Sequence, residues 1–147
     1  MASILAQVGD AVVAKLANAA LSQSFAPTRE WAPLFDVKDV AALRVSVVPM
    51  SRAVERATRG ADQHVVELSV AAQKQLDSDR QRECDDLVEL LEEIGQTFAV
   101  GSLLTLSSGA TARCTASGEQ NPPLVPEHLR ERDVFTGAVS LAFLVME

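Results

Sequence analysis

The sequence predicts a single α+β domain, in which two helices pack on one face of a mainly antiparallel or mixed sheet of about five strands. Two stretches show the apolar spacing of amphipathic helices, and several others alternate apolar and polar residues as half-buried strands do. Their order along the chain is α-β-β-β-α-β-β, an arrangement typical of α+β folds. The length of 147 residues suits one domain, so we expect residues 1–147 to form a single unit.

The two predicted helices are marked by apolar residues that recur every three or four positions. In the first, Leu5, Val8, Val12 and Leu16 share one face, and Ser3 precedes them as a candidate N-cap. The second is predicted over residues 79–98, with an apolar stripe on one side and an acidic side opposite. Its stripe consists of Cys84, Leu87, Leu91, Ile94 and Phe98.

The predicted strands are marked by alternation or by prolines that a helix would not accept. Residues 24–31 contain a proline and are interpreted as an edge strand, where a missing backbone N–H is tolerated. The other predicted strands cover residues 43–48, 63–73, 110–117 and 134–146. Pro49 is expected to end the first of these, which leaves a long loop over residues 49–62. The last strand is apolar on one side and only weakly polar on the other, so we expect both of its sides to be covered, by helices or by a neighbouring subunit.

The composition indicates a core of small aliphatic side chains. The chain has 22 Ala, 18 Val and 17 Leu, but only five Phe, one Trp and no Tyr. Aromatic side chains are common anchors in ligand pockets, so their scarcity weighs against a pocket for a small molecule.

The formal net charge of −7 excludes two broad classes of partner. A general nucleic-acid binder needs a basic surface, and so does a protein that docks on an anionic membrane. No apolar segment is long enough to span a bilayer, and Asp10 and Lys15 make the first twenty residues an amphipathic helix and not a signal peptide.

Motifs for catalysis, metal binding or phosphate binding are missing from the sequence. His64, His128, Cys84 and Cys114 lack the short-spaced pairs of a zinc site, and neither a nucleophile elbow nor a glycine-rich phosphate loop occurs. Both cysteines fall on apolar faces, which predicts buried, reduced thiols. We therefore predict no catalytic residue, no metal ligand and no cofactor.

The charged residues form two groups of opposite sign that are candidates for an interface. The predicted 49–62 loop carries three arginines at spacings of four and three, which one helical turn could align. An exposed loop explains them equally well. The alternative is contact with the acidic helix face of a neighbouring copy. The candidate interface residues are Arg52, Arg56 and Arg59 in the loop and Asp85, Glu89 and Glu92 on the helix.

In element order and in several segments, the chain resembles the tail-terminator, or tail-completion, proteins of long-tailed bacteriophages and phage-like particles. An N-terminal amphipathic helix leads to FDVKDV at residues 35–40 and LRVSVVP at residues 43–49. The similarity continues with HVVELSV at 64–70 and LVELLEEI at 87–94, and it ends with FTG at 135–137 and VM at 145–146.

The resemblance implies a structural role without catalysis or cofactor. Proteins of this kind form a ring, commonly of six subunits, at the head-proximal end of the tail tube. The ring stops addition of tube subunits and provides the surface that joins the head. The implied partners are other copies of the chain, the tail tube protein and the head-closure or connector protein, and DNA passes through the ring without sequence-specific contacts. The implied location is the virion tail or neck, after assembly in the host cytoplasm.

Three alternatives remain open at this point. A head-closure or connector protein on the portal side belongs to the same class of assembly proteins. A small α+β enzyme would require a pocket with convergent polar groups, with His64 or His128 as its first candidates. A dimeric binding module would give a two-fold assembly instead of a ring.

Overall fold

The chain forms two helices and one six-stranded sheet in a computed structural model, which describes residues 3–23, 25–31, 43–58, 61–76, 80–119 and 134–146. The predicted α+β class and the predicted order of elements are confirmed, with one additional strand. In chain order the elements are α1 (Ile4–Ala17), β1 (Pro27–Arg29), β2 (Arg44–Thr58), β3 (Ala61–Gln75), α2 (Arg80–Thr97), β4 (Leu103–Thr105), β5 (Thr111–Glu119) and β6 (Val134–Met146).

The sheet is mixed, with the spatial order β1-β2-β3-β6-β5-β4. β1 and β2 are parallel, and the other neighbouring strands are antiparallel. β1 lies at one edge, as predicted for the proline-containing stretch, and the unpredicted β4 lies at the other edge. With three residues, β4 is too short to show an alternation in sequence.

The β2–β3 hairpin corrects the prediction that Pro49 ends a strand and that residues 49–62 form a loop. β2 continues through Pro49 to Thr58, and Thr58 pairs with Ala61. Pro49 is tolerated for two reasons. The register shifts between Pro49 and Ser51, and β1 pairs with β2 only over Val45–Val47, so within the described residues no strand needs an N–H from Pro49. The consequence is a hairpin of two 15-residue strands.

Both helices pack on the same face of the sheet, as predicted. Directly opposed residues on β3 and β6 share this face, including Val66 with Phe143 and Leu68 with Leu141. α1 covers mainly β1 and β2, whereas α2 covers β5 and β6. One continuous apolar core results, and its largest fully buried side chains include Phe98, Phe135 and Phe143.

Phe98, one residue beyond α2, lies where both helices and the sheet meet. Its ring makes an edge-to-face contact with Phe143 on β6, with 6.3 Å between the ring centroids. The ammonium of Lys15, near the end of α1, lies 5.2 Å from the centroid of the same ring. Phe98 therefore links α1, α2 and β6 in a mainly aliphatic core.

Close packing of α1 on the edge of the sheet depends on Gly9. A Cβ atom at this position would lie 2.9 Å from Cδ of Arg29 and 3.3 Å from Cγ of Pro49. Arg29 itself is held in place, since its Nε donates to Asp10 on α1 at 2.9 Å and its guanidinium stacks on Trp31. The glycine costs some helix propensity but allows this approach of α1 to β1 and β2.

The face of β6 that points away from the helices is only partly covered. Ala138, Ala142 and Leu144 are half-buried there, and Ser140 is exposed. The helices of the same chain therefore do not cover this side, and its cover by a neighbouring subunit stays a prediction.

Candidate assembly surface

The basic part of the predicted interface lies on a strand and not on a loop. Arg52 belongs to β2, is exposed, and directs its guanidinium at Nδ1 of His64 over 3.2 Å. Arg56 lies on the same strand, but its side chain is outside the described part of the chain, as is the whole of Arg59. The proposed alignment of these arginines by a helical turn is wrong, because β2 is extended at Arg52 and Arg56.

His64 supports Arg52 from the neighbouring strand. The imidazole is 6% exposed, and its residue pairs with Val54 on one side and Val145 on the other. Because a guanidinium can only donate hydrogen bonds, Nδ1 of His64 accepts this one. The contact fixes the direction of Arg52 and leaves other N–H donors of its guanidinium available. His128, the second candidate of the enzyme alternative, lies outside the described residues.

The acidic part of the predicted interface lies on the solvent side of α2. Asp85, Glu89 and Glu92 are exposed, and within the described residues no ion pair involves them. Two further acids of the helix bind within the chain. Glu93 accepts hydrogen bonds from the backbone N–H and hydroxyl of Ser22, and Glu83 pairs with Lys74 at 3.7 Å.

The structure does not bring the two charged groups together within one chain. α2 packs on β5 and β6, whereas Arg52 lies on β2, in the other half of the sheet. Among the residues described, Arg52 contacts His64 and none of the three acids. Contact between the two groups in different copies stays a prediction.

An open groove of about 500 Å³ runs between the end of α2 and strand β5. We call it the α2–β5 groove. Its floor is β5, where the hydroxyl of Ser117 donates to the carbonyl oxygen of Gly95 on α2 at 3.0 Å, and one wall carries the 67%-exposed side chain of Val100. The lining residues are Glu92, Gly95, Gln96, Ala99, Val100, Ser117 and Gly118.

Exposed apolar side chains mark the two edges of the sheet, which the sequence did not predict. Met50 and Val54 lie on β2 and Trp31 follows β1, at one edge, and they are 61%, 50% and 62% exposed. At the opposite edge, Val100 precedes β4 and Leu103 is its first residue. Large exposed apolar side chains grouped in this way are typical of interaction surfaces.

The cysteines match their prediction only in part. Neither cysteine forms a disulfide, and Cys114 on β5 is 1% exposed, but Cys84 on α2 is only half-buried. In the described part of the chain, no three His, Cys, Asp or Glu side chains are grouped so that they could hold a metal ion. None of the described helices combines the length and the apolar character needed to cross a membrane.

The two thiols are expected to react at different rates. Burial raises the pKa of the Cys114 thiol, so its reactive thiolate is scarce at neutral pH, while Cys84 is accessible. We expect Cys114 to be alkylated at least about tenfold more slowly than Cys84, which mass spectrometry of peptides can measure.

The raised pKa of Cys114 also gives the stability a dependence on pH. The folded state keeps the thiol neutral, so its contribution is complete below the thiol pKa of the unfolded chain, about 8.5, and is lost as the pH rises through the folded value. Equal alkylation rates in the folded protein, or stability that is flat above this pH in a Cys84→Ser background, would contradict the burial of Cys114.

Comparison with known proteins finds a similarity of fold and no similarity of sequence to a known family. No protein-family model matches the chain, and no curated protein matches it. Among solved structures, the chain is similar to a chain of the "Virion of native gene transfer agent (GTA) particle". The TM-score is 0.50 and the sequence identity 12%, and the alignment covers 98% of this chain and 93% of the other. The two chains thus share their overall fold along almost their whole lengths.

Proposed function

We propose that this chain is a structural virion protein that forms a ring, hexameric as in the tail terminators it resembles, at the head-proximal end of a phage-type tail tube. The observation that carries the proposal is the fold shared with a chain of a gene transfer agent virion over 98% and 93% of the two lengths. At 12% identity this likeness concerns the fold. The segments that resemble tail-terminator proteins support the more specific role.

The distribution of surface features supports a cyclic assembly. A ring requires heterologous contacts, in which one patch of a subunit meets a different patch of the next. Arg52 and exposed apolar residues lie at the β2 edge of the sheet, whereas the exposed acids Asp85, Glu89 and Glu92 lie on α2 in the other half. Each copy therefore carries two unlike surfaces, one on each side of the sheet's centre.

The proposed partners follow from this position in the particle. One side of the ring binds the last turn of the tail tube protein and stops its polymerisation, and the other side binds the head-closure or connector protein. The net charge of −7 suits a passage through which DNA moves without being held. In this role the protein is not an enzyme and requires no cofactor. It is located in the tail or neck of the virion and assembles in the host cytoplasm.

A head-closure protein on the portal side is the second candidate, because the matching structure is described as a whole virion and the match specifies no position in it. Binding assays separate the two. The purified protein should bind the ends of tail tubes in the absence of any head protein, whereas a head-closure protein should bind the isolated portal complex first. Binding to the portal alone would reject the terminator.

The assembly state is tested by native mass spectrometry and by class averages from electron micrographs, both with and without tail tubes. We expect ring particles of cyclic symmetry, with a mass close to six times 15.7 kDa. A two-fold dimer under all conditions would contradict the ring and favour a dimeric binding module.

A further inference from the structure

We infer that neighbouring copies in the ring join when the β2 edge of one copy packs into the α2–β5 groove of the next. We define the β2 edge by Met50, Arg52 and Val54. The inference rests on the proposed ring and names the surfaces that close it. The occupant of the groove is therefore a second copy of this chain.

The β2 edge has both free backbone and exposed apolar side chains. β1 pairs with β2 only over Val45–Val47, so from Val48 onward the outer side of β2 has no strand partner among the described residues. Met50 and Val54 are 61% and 50% exposed along this stretch. An uncovered edge of this kind is a natural place for another chain to bind.

The α2–β5 groove is complementary to the β2 edge in apolar character and in charge. Val100 offers an apolar contact for Val54, and Glu92 offers a carboxylate for the guanidinium of Arg52. Arg52 is already directed by His64, so less side-chain freedom is lost when it binds an acid on the next copy.

The positions of the two surfaces suit a closed ring. Arg52 and Val54 pair with Val66 and His64, which places them on the helix-covered face of the sheet. The groove lies on the same face, beside α2. The two surfaces are thus on one face and at opposite edges, so a head-to-tail contact keeps every copy in the same orientation relative to the ring axis.

A second copy fits these observations better than a tube or head protein. Each chain carries one basic apolar edge and one acidic groove, so the two surfaces are present in equal numbers in any assembly of this chain. In a closed ring every edge and every groove is buried in a contact between copies. The surfaces that bind the tube and the head would then be the two faces of the ring.

The inference is tested by disulfide trapping between copies. The variant Val54→Cys/Val100→Cys is made in a Cys84→Ser background, with the buried Cys114 retained. The matched control is Val54→Cys/Arg113→Cys in the same background. Arg113 is an exposed residue of β5 that pairs with Leu144 and lies on the face away from the helices. Both variants are oxidised with and without tail tubes and analysed by non-reducing electrophoresis, and their folding is checked by circular dichroism.

We expect a ladder of covalent oligomers that ends at the ring for the first variant, and at least tenfold less cross-linking for the control. Wild-type rings together with an uncross-linked Val54→Cys/Val100→Cys variant would overturn the inference and leave the proposed function intact. Absence of rings in the wild type would overturn both. If Val54→Asp left the ring intact and abolished binding to tubes, the β2 edge would be a tube-binding surface instead, which also overturns the inference.

Discussion

Replacement of Phe98 by alanine is expected to lower the free energy of unfolding by about 3–5 kcal/mol, the usual cost of truncating a buried phenylalanine. The side chain is fully buried and contacts Phe143 in an edge-to-face arrangement. Truncation leaves a cavity where α1, α2 and the sheet meet, and the ammonium of Lys15 loses the aromatic ring beside it. In a chain with five Phe and no Tyr, few other aromatic side chains can fill the space.

Urea denaturation followed by circular dichroism measures this loss. Val100→Ala is the control, because Val100 is 67% exposed and its truncation should change the stability by no more than about 0.5 kcal/mol. A loss below about 1 kcal/mol for Phe98→Ala would show that the core is not organised around this residue.

Reversal of the three candidate arginines to glutamate is expected to abolish ring assembly while each subunit remains folded. Arg52 is exposed, and its described contact is the hydrogen bond to Nδ1 of His64, so the substitution removes no apolar core contact. In the assembly, glutamates would face the acidic side of α2 on the next copy, and like charges across an interface cost several kcal/mol, which weakens association by a factor of about 100 or more. Sedimentation velocity measures the assembly, and the far-ultraviolet circular dichroism spectrum reports the fold.

Two further variants make this prediction specific. Arg113→Glu introduces the same charge change as Arg52→Glu on the other face of the sheet and should leave assembly unchanged. Replacement of Asp85, Glu89 and Glu92 by lysine in the reversed protein should restore part of the assembly. If all variants assembled like the wild type, the charged groups would have no role between copies.

The long periodic elements of this fold can be predicted from the sequence. The second helix was predicted over residues 79–98 and occupies Arg80–Thr97, and the last strand was predicted over residues 134–146 and occupies Val134–Met146. Each presents several turns or repeats of a pattern that local sequence alone determines. The edge position of β1 follows from its proline for the same local reason.

The features that were not predicted depend on contacts between distant parts of the chain. Pro49 interrupts a strand pattern in the sequence. β2 nevertheless continues, because a register shift and an uncovered edge accommodate the proline side chain. The segment that follows begins with Ser51 and Arg52, which are exposed because they lie at that edge. Residues 51–58 do not alternate apolar and polar side chains, so the sequence carried no clear signal for a longer hairpin.

Only the charged residues of the candidate assembly surface were predicted. Its exposed apolar residues and its groove were not, because they too depend on contacts between distant parts of the chain. The exposure of Met50, Val54, Val100 and Leu103 becomes informative only when the strand order places them at two opposite edges of one sheet. That order joins β3 to β6, which are far apart in sequence. Charge signs are local and can be read directly, whereas the shape of the α2–β5 groove is a property of the folded chain.

Tube length is the measurement that tests the central claim most directly. Tail tube subunits are polymerised in the presence of increasing amounts of the purified protein, and tube lengths are measured in electron micrographs. The matched control is the variant in which Arg52, Arg56 and Arg59 are replaced by glutamate. We expect shorter tubes that carry a ring at one end and stop growing, and no such effect of the variant. Tubes that grow to the same lengths with and without the wild-type protein, with both ends bare, would contradict a role in terminating the tail tube.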